Sequence, residues 1–259
     1  MKTNCFESLN SNEESQKKIL LQEFVKVADR ATPPFSTLRG IKYVLGEWIF
    51  LNVTAFLQQI GYEKKKILSF RKREKLILNI GSNFNINVLA NEHTVNCDLV
   101  PCRGIFSMLK MLFGGYKIDY DLFVDITHYD KNLLDSADNI ILSHVLEHIH
   151  PQLAIKALKN CFAYLKQGGC IRITVPFLGT YEQLDFPLCQ DVYNRTLAKN
   201  RLVYDHGHQL MYDVELLTLL MEEVGFSDVK EVTFGEGLMS EMDLLEHKLE
   251  SIYLTGLKA

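Results

Sequence analysis

An apolar run breaks at a glycine in Leu76-Ile77-Leu78-Asn79-Ile80-Gly81-Ser82-Asn83, and the next apolar run, Val95-Asn96-Cys97-Asp98, closes on a carboxylate 19 residues beyond Asn79. A buried strand ending in glycine lets a ligand approach the backbone, and open α/β sheets bind nucleotides at such turns. A carboxylate at the end of the neighbouring strand is placed to accept the hydrogens of both ribose hydroxyls of an adenosine group. Each signal alone has a plainer reading. One-glycine turns occur in many folds, and Asp98, with Pro101 shortly after it, also reads as a cap or turn residue. The pair in register carries more weight than either member. A dinucleotide fits poorly, because its fingerprint requires three glycines to bring a pyrophosphate onto a helix N-terminus. Gly81 is followed instead by Ser82, Asn83, Phe84 and Asn85. A cofactor without phosphate has less need of the extra glycines.

The titratable side chains near these turns are His144, Glu147, His148, His206 and His208. Glu147 and His148 read first as helix-start residues, since acidic side chains favour a first helical turn on electrostatic grounds. His206 and His208 flank Gly207 in what reads as a loop, and histidine titrates nearest to working pH, so an acid–base or substrate-binding role stands against a plain surface loop. Two histidines are too few for a zinc site and no third ligand is evident, so no metal is expected. Glu182, Asp185 and Asp191, in the long stretch after Pro176, could meet a polar acceptor.

These residues need a scaffold, and the chain supplies its pattern. From Lys75 onward short apolar runs alternate with helical spacing, the signature of a parallel sheet with crossover helices. The expected strands are Leu76–Ile80, Thr94–Asp98, Leu122–Val124, Asn139–Ser143, Cys170–Val175, Val229–Phe234 and Ser251–Leu257. Helices are expected over Lys17–Ala31, Ser36–Ile60, Gln152–Leu165 and Tyr212–Val224. Gly168-Gly169 and Gly225 read as stop signals of the last two. The stretch from Pro176 to about Asp205 reads as loop-rich. Lys64–Lys66 with Arg71–Arg73 and Lys75 form a basic run, which is more often a solvated surface than an anion site.

With 259 residues, 47% of them hydrophobic, the chain can bury one sizeable core. A net charge of −4 gives no global drive toward nucleic acid or an anionic membrane. The six cysteines, at 5, 97, 102, 161, 170 and 189, form no CxxC pair and read as reduced thiols of a cytoplasmic protein. The N-terminus lacks the basic start and apolar core of a signal peptide. The longest apolar stretch, Tyr43–Leu57, falls short of the ~20 residues that cross a bilayer, so no membrane insertion is expected.

Taken in order, SHVLEHI, YLKQGGCIRITVPFLGTY, HGHQLMYDVELLTLLMEEVGF and the terminal SIYLTGLK resemble the later strands of class I S-adenosylmethionine-dependent methyltransferases over residues 75–257. The NCDLVP and LRIxVP-like strings are similar to a branch found among surface-polysaccharide genes. The resemblance implies an α/β, Rossmann-like fold with a seven-stranded, mostly parallel sheet and an antiparallel last strand. It implies a methyltransferase domain over 75–259 behind an N-terminal helical extension, 1–74. The implied cofactor is S-adenosyl-L-methionine, held by Asn79, Ile80, Gly81, Ser82 and Asn83 under its methionine part, by Asp98 and Leu99 at the ribose, by Asp125 and Ile126 at the adenine, and by Ser143 and His144 near the sulfonium. His206, His208 and His148 are the implied catalytic candidates, with a small-molecule or sugar acceptor methylated on O or N. A homodimer is compatible with this reading, and nucleic acid, which the Lys64–Lys75 run would have to bind, is disfavoured. One departure stands out, because the family usually carries an acidic residue where Asn79 lies and more than one glycine after it. A catalytically degenerate binding or scaffold protein is the alternative.

Overall fold

The computed structural model describes residues 15–16, 18–25, 38–82, 92–100, 120–182 and 194–259. The chain divides into two compact units, residues 1–32 with 178–208 and residues 33–177 with 209–259.

The larger unit is built on one sheet. Its strands are β1 (Ile77–Ile80), β2 (Thr94–Asp98), β3 (Leu122–Phe123), β4 (Ala137–Ser143), β5 (Leu165–Pro176), β6 (Ser227–Val232) and β7 (Ser251–Leu257), in the spatial order β3-β2-β1-β4-β5-β7-β6. β1 pairs in parallel with β2 and β4, β2 with β3, and β4 with β5, whereas β7 runs antiparallel to both β5 and β6. This is the seven-stranded, Rossmann-like arrangement implied by the sequence, with its last strand reversed. β1 to β3, and β4 and β5 beyond their opening residues, are buried on both faces, which is why they read as apolar runs without alternation. Side chains still alternate along each strand. Leu78, Ile80, Ile140 and Leu142 belong to the main core, and Ile77 and Ile141 pack on the opposite face with Met239, Met242 and Leu244.

Helices α1 (Leu38–Ile60), α2 (Lys64–Phe70), α3 (Pro151–Tyr164) and α5 (Val214–Val224) belong to the larger unit, and α4 (Arg195–His206) to the smaller. α1 lays Ile49, Val53 and Leu57 against Val100 and Phe123. It is also tied to the sheet by two of its polar side chains. Thr54 Oγ1 accepts from the Val100 N–H at 2.8 Å and Gln58 Oε1 from the Asp125 N–H at 2.9 Å. α3 and α5 pack on the main core through Ala154, Leu158, Cys161, Leu217 and Met221. α5 is capped by Asp213, which accepts from Leu216 N–H at 2.8 Å, and ends at Gly225 with φ +114°. That is the stop signal the sequence carries there.

Four expectations need correction. α3 ends at Tyr164, where Leu165 turns extended (ψ 141°), and the Gly168-Gly169 pair lies inside β5 instead of capping the helix. Gly168 has φ +78°, and a Cβ on Gly169 would meet Asp138 O at 2.8 Å. Both glycines therefore serve a close bend of the strand beside β4. The basic run carries the short helix α2. Arg71 donates to the carbonyls of Asn132 and Leu134 at 2.9 Å each, so part of the run braces the connection between β3 and β4. β6 begins two residues before the expected start. Finally, the stretch to Asp205 is not loop throughout, since α4 occupies its end, capped by Asn194 and closed by Gly207 at φ +70°.

In the smaller unit residues 18–25 are helical, and Glu23, buried there, accepts from the Asn194 N–H at 3.4 Å. Lys199 pairs with Glu182, and Arg201 with Asp205 at 2.8 Å. No helix among the described residues is long and apolar enough to cross a membrane.

Candidate functional site

The carboxyl ends of β1, β2 and β4 lie side by side, because Ile80 is in register with both Cys97 and Leu142. The residues that follow, Gly81-Ser82, Asp98-Leu99 and Ser143-His144, therefore share one edge of the sheet. In open α/β sheets this is the edge where ligands bind, at the point where strand order reverses between β1 and β4.

The turn after β1 leans on β2. The N–H groups of Gly81 and Ser82 both donate to Cys97 O, at 2.8 and 3.2 Å. Gly81 has φ +72°, and a Cβ there would fall 2.3 Å from Val145 Cγ2. Packing against the segment after β4 thus demands glycine independently of any ligand. Ser82 is buried, and its hydroxyl has no hydrogen-bond partner among the described residues. An orphaned hydroxyl at this edge fits a polar ligand that completes its bonding. Asn79 is engaged within the sheet, its amide donating to Asn96 Oδ1 at 2.9 Å. Ile80 is core. Asn83 lies outside the described residues.

Asp98 ends β2 half-buried, with Oδ1 accepting from the Leu99 N–H at 2.7 Å. Asp125 follows β3, and its carboxylate is fully used locally. Oδ1 accepts from the N–H and hydroxyl of Thr127 at 2.8 and 2.7 Å, and Oδ2 lies 2.8 Å from His128 Nδ1. The backbone of the Asp125-Ile126 turn is held from beneath, since Ile126 O accepts from Asn160 Nδ2 at 2.7 Å.

After β4 the chain turns sharply. His144 has φ +54°, a conformation that costs energy in a residue other than glycine, and its N–H donates to Thr174 O at 2.9 Å. A 3-10 turn, Leu146–His148, then carries Glu147 into full burial. Its carboxylate lies 3.2 Å from His144 Nδ1 and 4.0 Å from His148 Nε2, and neither oxygen accepts a well-formed hydrogen bond among the described residues. Tyr212, also buried, has a hydroxyl without such a partner. Burial first, then the nearby Glu147 charge, pushes the Tyr212 phenol up to about 12. Sequence reasoning treated Glu147 as a helix-start residue and passed over Tyr212.

His206 and His208 belong to the smaller unit. His206 is the last residue of α4 and exposed, His208 is buried, and their rings stack with centroids 5.5 Å apart. Asp185 and Asp191 lie outside the described residues. Glu182 is exposed and its carboxyl is held below the usual range by the Lys199 ammonium, through a hydrogen bond and then its charge.

A family model described as a methyltransferase domain matches residues 57–231. The chain therefore belongs to the methyltransferase-domain family, which is S-adenosylmethionine-dependent. No curated protein matches the sequence. Among solved structures the chain is similar to an S-adenosylmethionine-dependent methyltransferase from Archaeoglobus fulgidus, with 16% identity, TM-score 0.46, and coverage of 77% of this chain and 93% of that one. A possible histamine N-methyltransferase from Thermotoga maritima matches with 14% identity and TM-score 0.46, over 84% of this chain and 100% of that one. Phosphoethanolamine N-methyltransferase 2 from Haemonchus contortus, in complex with S-adenosyl-L-methionine, matches with 12% identity and TM-score 0.44, over 76% of this chain and 52% of that one.

Proposed function

We propose that this enzyme moves a methyl group from S-adenosylmethionine to an oxygen or nitrogen of a small-molecule or sugar acceptor, and that residues 75–259 hold the cofactor behind an extension formed by 1–74. The observation that carries the site is the shared sheet edge on which Gly81-Ser82, Asp98 and Ser143-His144 adjoin, with the Ser82 hydroxyl orphaned there. Ser82 would bond the methionine part. Asp98 would accept from the ribose hydroxyls. The backbone of Asp125-Ile126 would border the adenine and that of Ser143-His144 the sulfonium. Asn79 acts indirectly in this reading, by fixing β1 to β2 through Asn96.

When bound, the cofactor supplies an electrophilic methyl group on a sulfonium. Transfer is an in-line displacement, so the protein's part is to hold the acceptor atom in line and take its proton when the acceptor is a hydroxyl or amine. His148, His206 and His208 are the proposed bases. The buried Glu147 carboxylate and Tyr212 hydroxyl support a polar acceptor over an apolar one, since buried polar groups call for partners. The committed Asn79 amide, standing where the family usually has an acid, favours the second reading of a degenerate binding protein.

Calorimetry with S-adenosylhomocysteine tests the site. Asp98→Ala should weaken binding by about 1.5–3 kcal/mol, the range for lost hydrogen bonds to a charged group. Undiminished affinity in the folded variant rejects the ribose assignment. Labelled-methyl transfer to a panel of hydroxyl and amine acceptors, sugars included, separates the two readings: cofactor binding without turnover on any of them leaves the degenerate one.

A further inference from the structure

We propose that two copies of this chain form a dimer through α1, laid antiparallel along an exposed apolar stripe of that helix. Leu38, Ile41, Leu45, Trp48, Phe56 and Ile60 are between 45% and 70% exposed. Their spacing keeps all six on one side of the 23-residue helix, within an arc of about 120°. The adjoining side is already committed. Val53 and Leu57 pack against Val100 and Phe123, while Thr54 and Gln58 bond the backbone N–H groups of Val100 and Asp125. Ile49, on the border of the two sides, is half-buried. α1 is therefore apolar on two sides, and among the described residues the sheet takes only one of them. A helix apolar over so much of its girth is ordinarily buried.

The size, symmetry and chemistry of the stripe select a second copy as what covers it. The six side chains together expose roughly 600–800 Å². That is more than the largest apolar patch of an ordinary monomer, about 300–600 Å², and close to the ~800 Å² that each partner gives to a stable interface. The stripe also matches itself. Trp48 lies next to the midpoint of Leu38–Ile60. A two-fold axis beside it sets Leu38 of each copy near Ile60 of the other and Ile41 near Phe56, with the two indoles side by side. Such an interface is isologous and closes at two chains. The antiparallel setting brings the N-terminal end of each helix beside the C-terminal end of the other, where their dipoles attract. Among the described side chains on the arc only Asn52 and Gln59 are polar and none is charged, so nothing there selects a nucleic acid or an anionic lipid surface. Asn52 Nδ2 already donates to Trp48 O at 2.7 Å, so covering it leaves little polar capacity unmet.

Trp48 is the only tryptophan of the chain, so the stripe carries its own reporter. Full-length chain should sediment as a dimer at about 10 µM. On dilution the Trp48 emission maximum should move to longer wavelength over the same range in which the mass falls to one chain. Leu45→Glu sets two like charges near the axis, and Phe56→Gln removes the apolar group that meets Ile41. Each should weaken the dimer ~30-fold or more, the effect of losing an interface anchor, with an unchanged circular dichroism spectrum. A chain that stays monomeric at about 100 µM overturns the proposal. In that monomer, short-wavelength Trp48 emission assigns the cover to another part of this chain, and long-wavelength emission assigns it to a different protein. A dimer of undiminished affinity in either folded variant, or one whose dissociation leaves the Trp48 emission unmoved, places the contact elsewhere and overturns it as well.

Discussion

Gly81 lies at the tightest contact of the candidate site, and a pair of substitutions isolates what it is for. In Gly81→Ala the new methyl group must exist at φ +72° and 2.3 Å from Val145 Cγ2. The left-handed backbone costs about 1–2 kcal/mol in a non-glycine residue. Forcing a carbon into an occupied position costs about 1–3 kcal/mol more, so the variant should lose roughly 2–5 kcal/mol. Val145→Ala removes the obstructing methyl and, from a partly buried position, should lose on the order of 1–2 kcal/mol. The double variant keeps the backbone strain but not the collision. It should be more stable than the sum of the single losses predicts, by about 1–3 kcal/mol. Urea denaturation of the four proteins, with slopes compared to confirm one two-state transition, measures this coupling. Losses that add to within about 0.5 kcal/mol would show that Val145 is not what requires the glycine. S-adenosylhomocysteine calorimetry on the double variant then reports the turn's role toward the cofactor separately from its role in packing.

Arg172 is fully buried, holds both Asp243 oxygens at 2.6 Å and donates to the carbonyls of Thr233, Glu236 and Leu238. Arg172→Met should lose about 3–5 kcal/mol in urea denaturation by stranding the Asp243 carboxylate, and a loss under 1 kcal/mol would refute that account. Burial pushes the Cys161 thiol up to about 12 and Cys170 to about 11, and Cys97 goes well above its usual value through burial and the Asp121 and Asp98 charges. At pH 8 all three should resist iodoacetamide in the native protein and react in urea, as peptide-resolved mass spectrometry would show; native labelling at free-thiol rates contradicts it. The folded state holds these protons more tightly than the unfolded one, so stability should fall as pH rises from about 9 toward 12. Asp125→Ala removes the acceptor of Thr127 and should lose about 1–3 kcal/mol of stability, checked by thermal denaturation; an unchanged midpoint would mean the turn holds itself.

The strands were legible because burial on both faces leaves an apolar run, and β2 and β7 have the bounds expected from sequence. α4 was not, because RTLAKNRLVYDH buries only Ala198 and Leu202 and so shows little periodicity. The ligand-bearing edge was legible where a turn has its own chemistry, as at Gly81 and Asp98. Glu147 shows why the rest was hidden. The tripeptide Leu-Glu-His occurs twice, each time as a 3-10 turn, at Leu146–His148 and Leu245–His247. The first buries its glutamate completely and the second leaves Glu246 62% exposed. Identical local sequence thus gives opposite environments, set by what the sheet brings alongside. The stacking of His144 on His247, with ring centroids 3.7 Å apart, likewise joins the turn after β4 to the segment before β7, which no local sequence pattern records.

That pairing has a consequence for how the chain is made. β6 precedes β7 in the sequence, yet its place in the sheet is beyond β7, so β6 has no sheet neighbour until Ser251–Leu257 has been synthesised and has docked against β5. On the ribosome the Cys170–Pro176 part of β5, which pairs with β7 in the finished sheet, is an uncovered edge for as long as translation of the intervening residues lasts. Closure of the sheet is therefore a late event, and Arg172 on β5 gains its Asp243 partner only once the segment after β6 has been made. A nascent chain stalled before Ser251 would present this edge of β5 to other chains.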